Sequence, residues 1–168
     1  MISSPSISII MSVKDSESTL ERAVSSTLKD MKRGDELLIY DDGSTDNSIK
    51  RILSIPDSRI RLFSSSQNLG LATRLNELVL ASKNDFIARM DSDDLTIFGR
   101  FKSQLRAFES DLELDAVFTS RVNFGPKLRN YRPSNFREIG KIHFPKSLLR
   151  SNPVAHSTAM FKRDSILK

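Results

Sequence analysis

Between residues 7 and 120 the sequence alternates short apolar runs with stretches of helical spacing, and this rhythm restricts the fold more than any single motif. The segments 7–13 (ISIIMSV), 36–42 (ELLIYDD), 59–65 (RIRLFSS), 85–90 (DFIARM) and 116–120 (AVFTS) read as strands. Short apolar runs bounded by polar turns fit strands covered on both faces. Between the first two, Leu20, Ala23, Val24, Leu28 and Met31 recur at helical spacing behind a Ser18–Glu21 capping box, and Gly34 closes the segment. NSIKRILSI (47–55), GLATRLNELVLAS (70–82) and FGRFKSQLRAFES (98–110) supply three more helices. Strands alternating with helices of this length predict an α/β fold with a mainly parallel central sheet. Right-handed crossovers then set helices on both faces. Beyond residue 120 the pattern weakens: 121–136 reads as a long polar loop, 136–142 and 144–152 as short helices, and 156–163 as a last strand.

A chain of 168 residues suits one domain with a real core, and 38% apolar with 28% charged residues is an ordinary soluble composition. No apolar run approaches the ~20 residues that span a bilayer, and the N-terminus lacks the basic region of a signal peptide. A cytoplasmic location is the expectation. The absence of cysteine excludes disulfides, thiolate catalysis and thiolate metal sites. The net charge of +5 is uneven: acids outnumber bases through residue 115, whereas 116–168 is strongly basic and holds only Glu138 and Asp164 as acids. A basic third of this kind is either a solvated face or a surface for something anionic, a phosphate-bearing substrate or a membrane. Nothing in the sequence resembles an aromatic-rich RNA-binding strand or a zinc finger, so nucleic acid is not expected.

Carboxylates gather where the strands end. Lys14 and Asp15 follow the first strand, Asp41 and Asp42 close the second, and Asp91, Asp93 and Asp94 follow the fourth. Ligands in an open α/β sheet bind beyond the carboxyl ends of its strands, so all three groups are expected on one edge. DSDD (91–94) is expected to open the next helix, where the macrodipole accounts for one or two of its three acids. The remaining charge suits a divalent cation, Mn or Mg, which takes one or two carboxylates together with substrate phosphates. DDGSTDNS (41–48) reads as a strand-to-helix turn in which Gly43 gives backbone freedom and Ser44 or Asp46 caps the helix. Asp41 and Asp42 are then left without a structural duty, and one carboxylate is available to a base or sugar donor. Neither a GxGxxG after the first strand nor a GxxxxGK[ST] occurs, so dinucleotide-type and Walker-type phosphate cradles are unsupported.

Taken in order, DDGSTD (41–46), NLGLATRLN (68–76) and FIARMDSDD (86–94) give a chain that resembles the family 2 glycosyltransferases, with the GT-A nucleotide-sugar-binding fold, over residues 6 to about 165. The resemblance implies that Asp42 binds the uracil of a UDP-sugar and that Arg74 lines the nucleotide pocket, with Asp15 also on the donor. It implies that Asp91 and Asp93 form the D-x-D that holds ribose and a divalent metal at the diphosphate. NPVAHSTAMF (152–161) is similar to the acceptor-side segment, which makes His156 the candidate catalytic residue. The implied reaction transfers a hexose with inversion from a nucleotide sugar to a glycan or polyprenyl-diphosphate-linked acceptor, in bacterial cell-surface polysaccharide synthesis. Peripheral contact at the inner face of the membrane goes with such an acceptor. The general base, usually a carboxylate in the family, is expected beyond Lys168, so residues 1–168 are expected to form one catalytic domain cut short on its acceptor side. Where the family commonly has Tyr-Asn after the first strand, this chain has Lys14-Asp15. Lys14 cannot stack on a base, but it can pair with a phosphate or with Asp42.

Two other readings stay open. One is a Mg-binding phosphoacceptor signalling domain, in which an acidic pair follows the first strand and a Lys the fifth; here the acids follow the second and fourth, and AVFTSRV has no Lys. The other is a nucleotide-binding domain without catalytic activity. His143 reads as structural. Arg89 interrupts a buried strand and calls for a carboxylate partner among the neighbouring aspartates. Asp164 reads as the cap of a final helix.

Overall fold

The structure is a computed structural model, and it describes residues 5–123, 132–133 and 154–167. β1 (Ile7–Val13), β2 (Glu36–Asp42), β3 (Ile60–Ser65) and β4 (Phe86–Arg89) are parallel to one another. β5 (Ala116–Val117) is a short edge strand, and among the described residues β6 (Val122–Asn123) pairs with β7 (Arg132–Pro133) in a separate two-stranded sheet. β8 (Met160–Lys162) inserts antiparallel between β4 and β5, so the main sheet runs β3-β2-β1-β4-β8-β5. Isoleucine and leucine dominate the central strands because both faces are covered. Ile7, Ile9, Ile10, Met11 and Val13 are all at most 1% exposed.

The helices sort by crossover direction. α1 (Leu20–Asp30) and α2 (Ser48–Leu53) carry the chain stepwise from β1 to β2 to β3 and pack on one face, where Leu20, Ala23, Val24 and Ile52 meet Ile9, Met11 and Ile39. The chain then crosses back over two strands to β4. A right-handed return of that kind puts α3 (Leu71–Ala81) on the opposite face, with Leu78 and Val79 against Ile10, Leu38 and Ile87. α4 (Arg100–Ser110) returns to the first face through Phe101, Leu105 and Phe108. Helices therefore lie on both faces of a mainly parallel sheet, as the strand–helix rhythm predicts.

Five local expectations change. DSDD does not open a helix: α4 starts at Arg100, after Gly99 in a left-handed conformation. Its cap is instead Asp30, the last residue of α1, whose Oδ1 accepts from the Gly99 N–H at 2.5 Å and Oδ2 from the Phe101 N–H at 3.0 Å. Replacing Asp30 with Ala is expected to cost about 1–2 kcal/mol, the loss of a two-bond cap, read as a lowered midpoint in urea unfolding. The Ser18–Glu21 box does not form either: α1 begins at Leu20 with Thr19 at its cap, and the Ser16 carbonyl takes the Thr19 and Leu20 N–H groups. The last strand is shorter than expected, because His156–Thr158 forms a 3₁₀ turn before it. Asp164 lies inside the first turn of α5 (Arg163–Ile166) rather than at its cap. The stretch expected as a loop contains β6 and β7, whereas the expected helices at 136–142 and 144–152, with His143, lie outside the described residues.

Candidate functional site

β1 and β4 are neighbours in the sheet although β2 and β3 intervene in the chain, so the strand order reverses between them. A reversal sends the two connections to opposite faces and opens a crevice beyond the strand ends. A cleft of about 400 Å³ lies there. Ser12, Lys14 and Asp15 line it from the end of β1, Leu71 from the start of α3, and Asp91 and Asp93 from the turn after β4.

The two edges of the sheet treat their carboxylates differently. At the amino edge, Glu36 Oε1 accepts from Ser8 Oγ at 2.7 Å and the Lys83 N–H at 2.8 Å, and Arg61 reaches Oε2 at 2.7 Å. Asp35 accepts the Ile7 and Lys32 N–H groups. At the cleft, Asp93 is exposed and makes no hydrogen bond or ion pair among the described residues. Asp91 uses only Oδ1, which lies 3.0 Å from Arg89 Nε and 2.9 Å from Arg89 Nη2. This is the carboxylate partner that the half-buried Arg89 requires. Burial drives the Asp91 carboxyl above the ordinary range; Arg89 pulls it down, but the charges of Asp94 and Asp93 push it further up. Such a cluster is short of positive charge, and a cation beside it reverses the balance.

Asp91 Oδ2 and the Asp93 carboxylate are hard oxygen donors that suit Mg²⁺ or Mn²⁺. Among the described residues no three acidic or imidazole groups converge as a closed metal cage. Two carboxylates without a cage fit an ion whose remaining ligands come from water and a phosphate-bearing substrate.

Asp15 joins the turns after β1 and β2. Its φ is +46°, its Oδ1 accepts from the Thr45 N–H at 2.7 Å, and its own N–H donates to Ser44 Oγ at 2.9 Å. The Thr45 N–H is the main reason its carboxyl is held below the usual value. Lys14 does not reach Asp42: its Nζ donates to the Gly43 carbonyl at 3.0 Å and lies 3.8 Å from Asp15. Gly43 has φ +76°, and a Cβ there would come within 3.1 Å of the Ser66 carbonyl, so this turn needs glycine. Ser44 is used by Asp15, while Asp46 takes the Ser48 N–H at the start of α2. Ser16 Oγ and Ser92 Oγ, 2.9 Å apart, tie the β1 turn to the acidic turn.

Asp41 and Asp42 both have structural duties, contrary to expectation. Asp41 points to the α1 face, where Oδ2 takes the Ser44 N–H at 3.2 Å and Oδ1 is buried with no partner among the described residues. Asp42 faces α3. Its Oδ1 accepts from the Leu69 N–H at 2.9 Å and Arg74 Nε at 2.7 Å, and its Oδ2 from the Gly70 N–H at 2.8 Å. Arg74, only 2% exposed, also donates to the Tyr40 hydroxyl, Glu77 and the Gln67 carbonyl, and lies 4.3 Å from the Tyr40 ring centre. Burial alone would raise the Asp42 carboxyl, but Arg74 and the two N–H groups outweigh it and hold it below the ordinary value. The pair thus fixes residues 67–74, which carry Leu71 into the cleft wall. One acceptor position on Asp42 remains out of about four.

His156 is exposed on its 3₁₀ turn. That turn is held to the acidic edge by a residue the sequence did not single out. Arg100 donates through Nη2 to the carbonyls of Arg89 and Ser157, at 2.9 and 3.0 Å. Burial lowers its pKa to about 10. The two partners that hold the turn are backbone carbonyls, which leave no pattern in a sequence.

Fold and site together define a doubly wound α/β domain with an open acidic pair at its topological switch point. Residues 8–168 match the sequence profile of Glycosyl transferase family 2, and the chain belongs to that family. The O-antigen biosynthesis glycosyltransferase WbnJ of Escherichia coli is 31% identical over 168 residues, covering 96% of this chain and 63% of WbnJ. The E. coli UDP-Glc:alpha-D-GlcNAc-diphosphoundecaprenol beta-1,3-glucosyltransferase WfgD is 36% identical over 99 residues, covering 59% of this chain and 39% of WfgD. The mannosyltransferase PcManGT from Pyrobaculum calidifontis, solved in complex with GDP-Man and Mn²⁺, superposes with a TM-score of 0.72 at 18% identity, covering 99% of this chain and 47% of that one. This chain therefore spans roughly half the length of the proteins it matches, and the structural likeness identifies the fold as GT-A.

Proposed function

We propose that this chain is the donor-binding part of an inverting, metal-dependent glycosyltransferase. Its donor is a UDP-hexose, and its acceptor is a hydroxyl on a glycan or polyprenyl-diphosphate-linked saccharide of bacterial cell-surface polysaccharide synthesis. The observation that carries this reading is the open Asp91–Asp93 pair at the β1/β4 switch point, beside Lys14 and Asp15. WfgD, whose name specifies UDP-glucose and a diphosphoundecaprenol-linked acceptor, supports both substrate classes.

Asp91 and Asp93 would hold a Mn²⁺ or Mg²⁺ ion, which would supply positive charge for the departing diphosphate. Asp93 has both oxygens available, whereas Asp91 approaches with Oδ2 and keeps Oδ1 on Arg89. Lys14 takes the phosphate side and Asp15 the sugar-nucleotide side of the cleft. Asp42 offers its remaining lone pair to the base, and Arg74 acts through Asp42 by keeping it ionised and oriented. His156 stands on the acceptor side. The protein works at the cytoplasmic face of the membrane that carries its acceptor. Among the described residues, no helix is long and apolar enough to cross a membrane.

Calorimetric titration of UDP and GDP with and without Mn²⁺ tests this reading. UDP is expected to bind, with Mn²⁺ raising its affinity at least tenfold. Metal-independent binding, or no binding to the full-length protein, would overturn it. Labelling by acetyl phosphate would favour the phosphoacceptor alternative, against which the placement of the acids after β2 and β4 already counts.

A further inference from the structure

The turn between the acidic pair and α4 exposes its largest apolar side chains. Ile97 is 68% and Phe98 85% exposed, next to Leu95 at 37%. Its backbone is nevertheless held firmly to α1. The Thr96 N–H donates to Ser26 Oγ at 3.0 Å, and Thr96 Oγ1 lies 3.4 Å from Thr27 Oγ1. Asp30 clamps the Gly99 and Phe101 N–H groups. A mobile loop can fold its apolar groups inward. This one is fixed with Ile97 and Phe98 pointing into water, an arrangement without benefit to the isolated fold.

The surroundings indicate what covers it. A groove beside the tip is lined by Leu95, Thr96 and Phe98 on one side and by Arg22, Ser26 and Lys29 on the other. Residues 22, 26 and 29 share one face of α1, and Arg22 and Lys29 are exposed. The one acid of α1 at this end of the groove, Asp30, is engaged by the two N–H groups it caps. Further along α4, Lys102 and Arg106 are also exposed. An aromatic–aliphatic tip flanked by long cationic side chains matches an anionic bilayer surface. The Phe98 ring and the Ile97 side chain enter the headgroup boundary while Lys and Arg stay with lipid phosphates.

We infer that the 95–99 turn, with Arg22 and Lys29 of α1, is a membrane-contact wedge that seats the protein on anionic lipid. The inference rests on this surface and not on the transfer chemistry, and it differs from the basic 116–168 segment as a source of membrane affinity. Its place in the chain makes it consequential: the segment that starts at Asp91 runs straight on to Phe98, so lipid at the tip lies close in the chain to the proposed metal-binding pair.

Residues 1–168 contain no tryptophan, so Phe98→Trp introduces the one indole of this chain as a reporter. On vesicles containing phosphatidylglycerol, its emission is expected to shift to the blue and to be quenched by brominated acyl chains, with binding that weakens as salt rises. Ile97→Ser/Phe98→Ser is expected to lower vesicle affinity about tenfold. Arg22→Glu/Lys29→Glu should lower it roughly 20-fold on anionic vesicles and leave neutral ones unchanged. All variants should keep the parent circular dichroism and UDP affinity, which separates failure of the wedge from failure of the donor-site reading. Full vesicle binding by the double serine variant would overturn the inference and assign the affinity elsewhere. So would an emission already blue in the lipid-free protein, which would mean that other parts of the chain or a second copy cover the tip. Absence of vesicle binding would overturn it as well.

Discussion

Arg74→Met is expected to lower the melting temperature by roughly 10 °C, the largest effect of any single change on the α3 face. Methionine fills much of the arginine's volume, so the loss comes from the polar groups left behind. The Asp42 carboxylate stays buried with two backbone donors but without its cation, and the Gln67 carbonyl and Tyr40 hydroxyl lose their donors. Breaking one partner of a buried pair costs far more than the pair contributes over an apolar substitute, because an uncompensated charge remains. The pH dependence gives an independent check. Asp42 titrates below its ordinary value in the folded protein. Its contribution to stability is therefore complete above about pH 4 and is lost as pH falls through the depressed folded value. In Arg74→Met the carboxyl moves back up, so the difference in melting temperature from the parent should shrink as the solution is acidified below about pH 4. A difference that stays constant with pH would mean that Arg74 stabilises by packing alone.

The same pair shows why the sequence reveals some features and hides others. Strand and helix order were legible because burial on both faces forces continuous apolar runs at β1 and β2 and helical spacing at Leu20, Ala23 and Val24. The switch-point edge was legible because unpaired acids after strands are costly without a function. Less legible was any bond to a backbone group. Asp42 looked idle because its partners are the N–H groups of Leu69 and Gly70, about 27 residues away. The cap of α4 was assigned to the adjacent DSDD, since propensity acts locally, yet Asp30 reaches it from another helix. Arg100 left no signal at all, because it holds the His156 turn through carbonyl oxygens. The antiparallel insertion of β8 was hidden for a different reason: three strand residues carry too little periodicity to indicate direction.

Asp93→Asn and Asp91→Asn separate chemistry from structure within one motif. Asp93 is exposed and makes no hydrogen bond or ion pair among the described residues. Its amide variant should keep the parent melting temperature, since surface changes away from any interaction fall within about ±0.5 kcal/mol. Asparagine retains the shape but removes a charge from the cation, so sugar transfer by the full-length enzyme should fall roughly 100-fold or more. Most of that loss should appear in turnover and in Mn²⁺ affinity. Asp91→Asn removes the second carboxylate proposed for the metal, so its activity should fall comparably. It also leaves the guanidinium of Arg89, a side chain only 15% exposed, without its carboxylate. A lowered melting temperature should therefore accompany the lost activity in Asp91→Asn and be absent in Asp93→Asn. Thermal scans and transfer assays on the two variants distinguish a metal-binding pair from a structural one. If Asp93→Asn keeps full transfer activity, the open carboxylate is not a ligand, and the cation must be held by other groups.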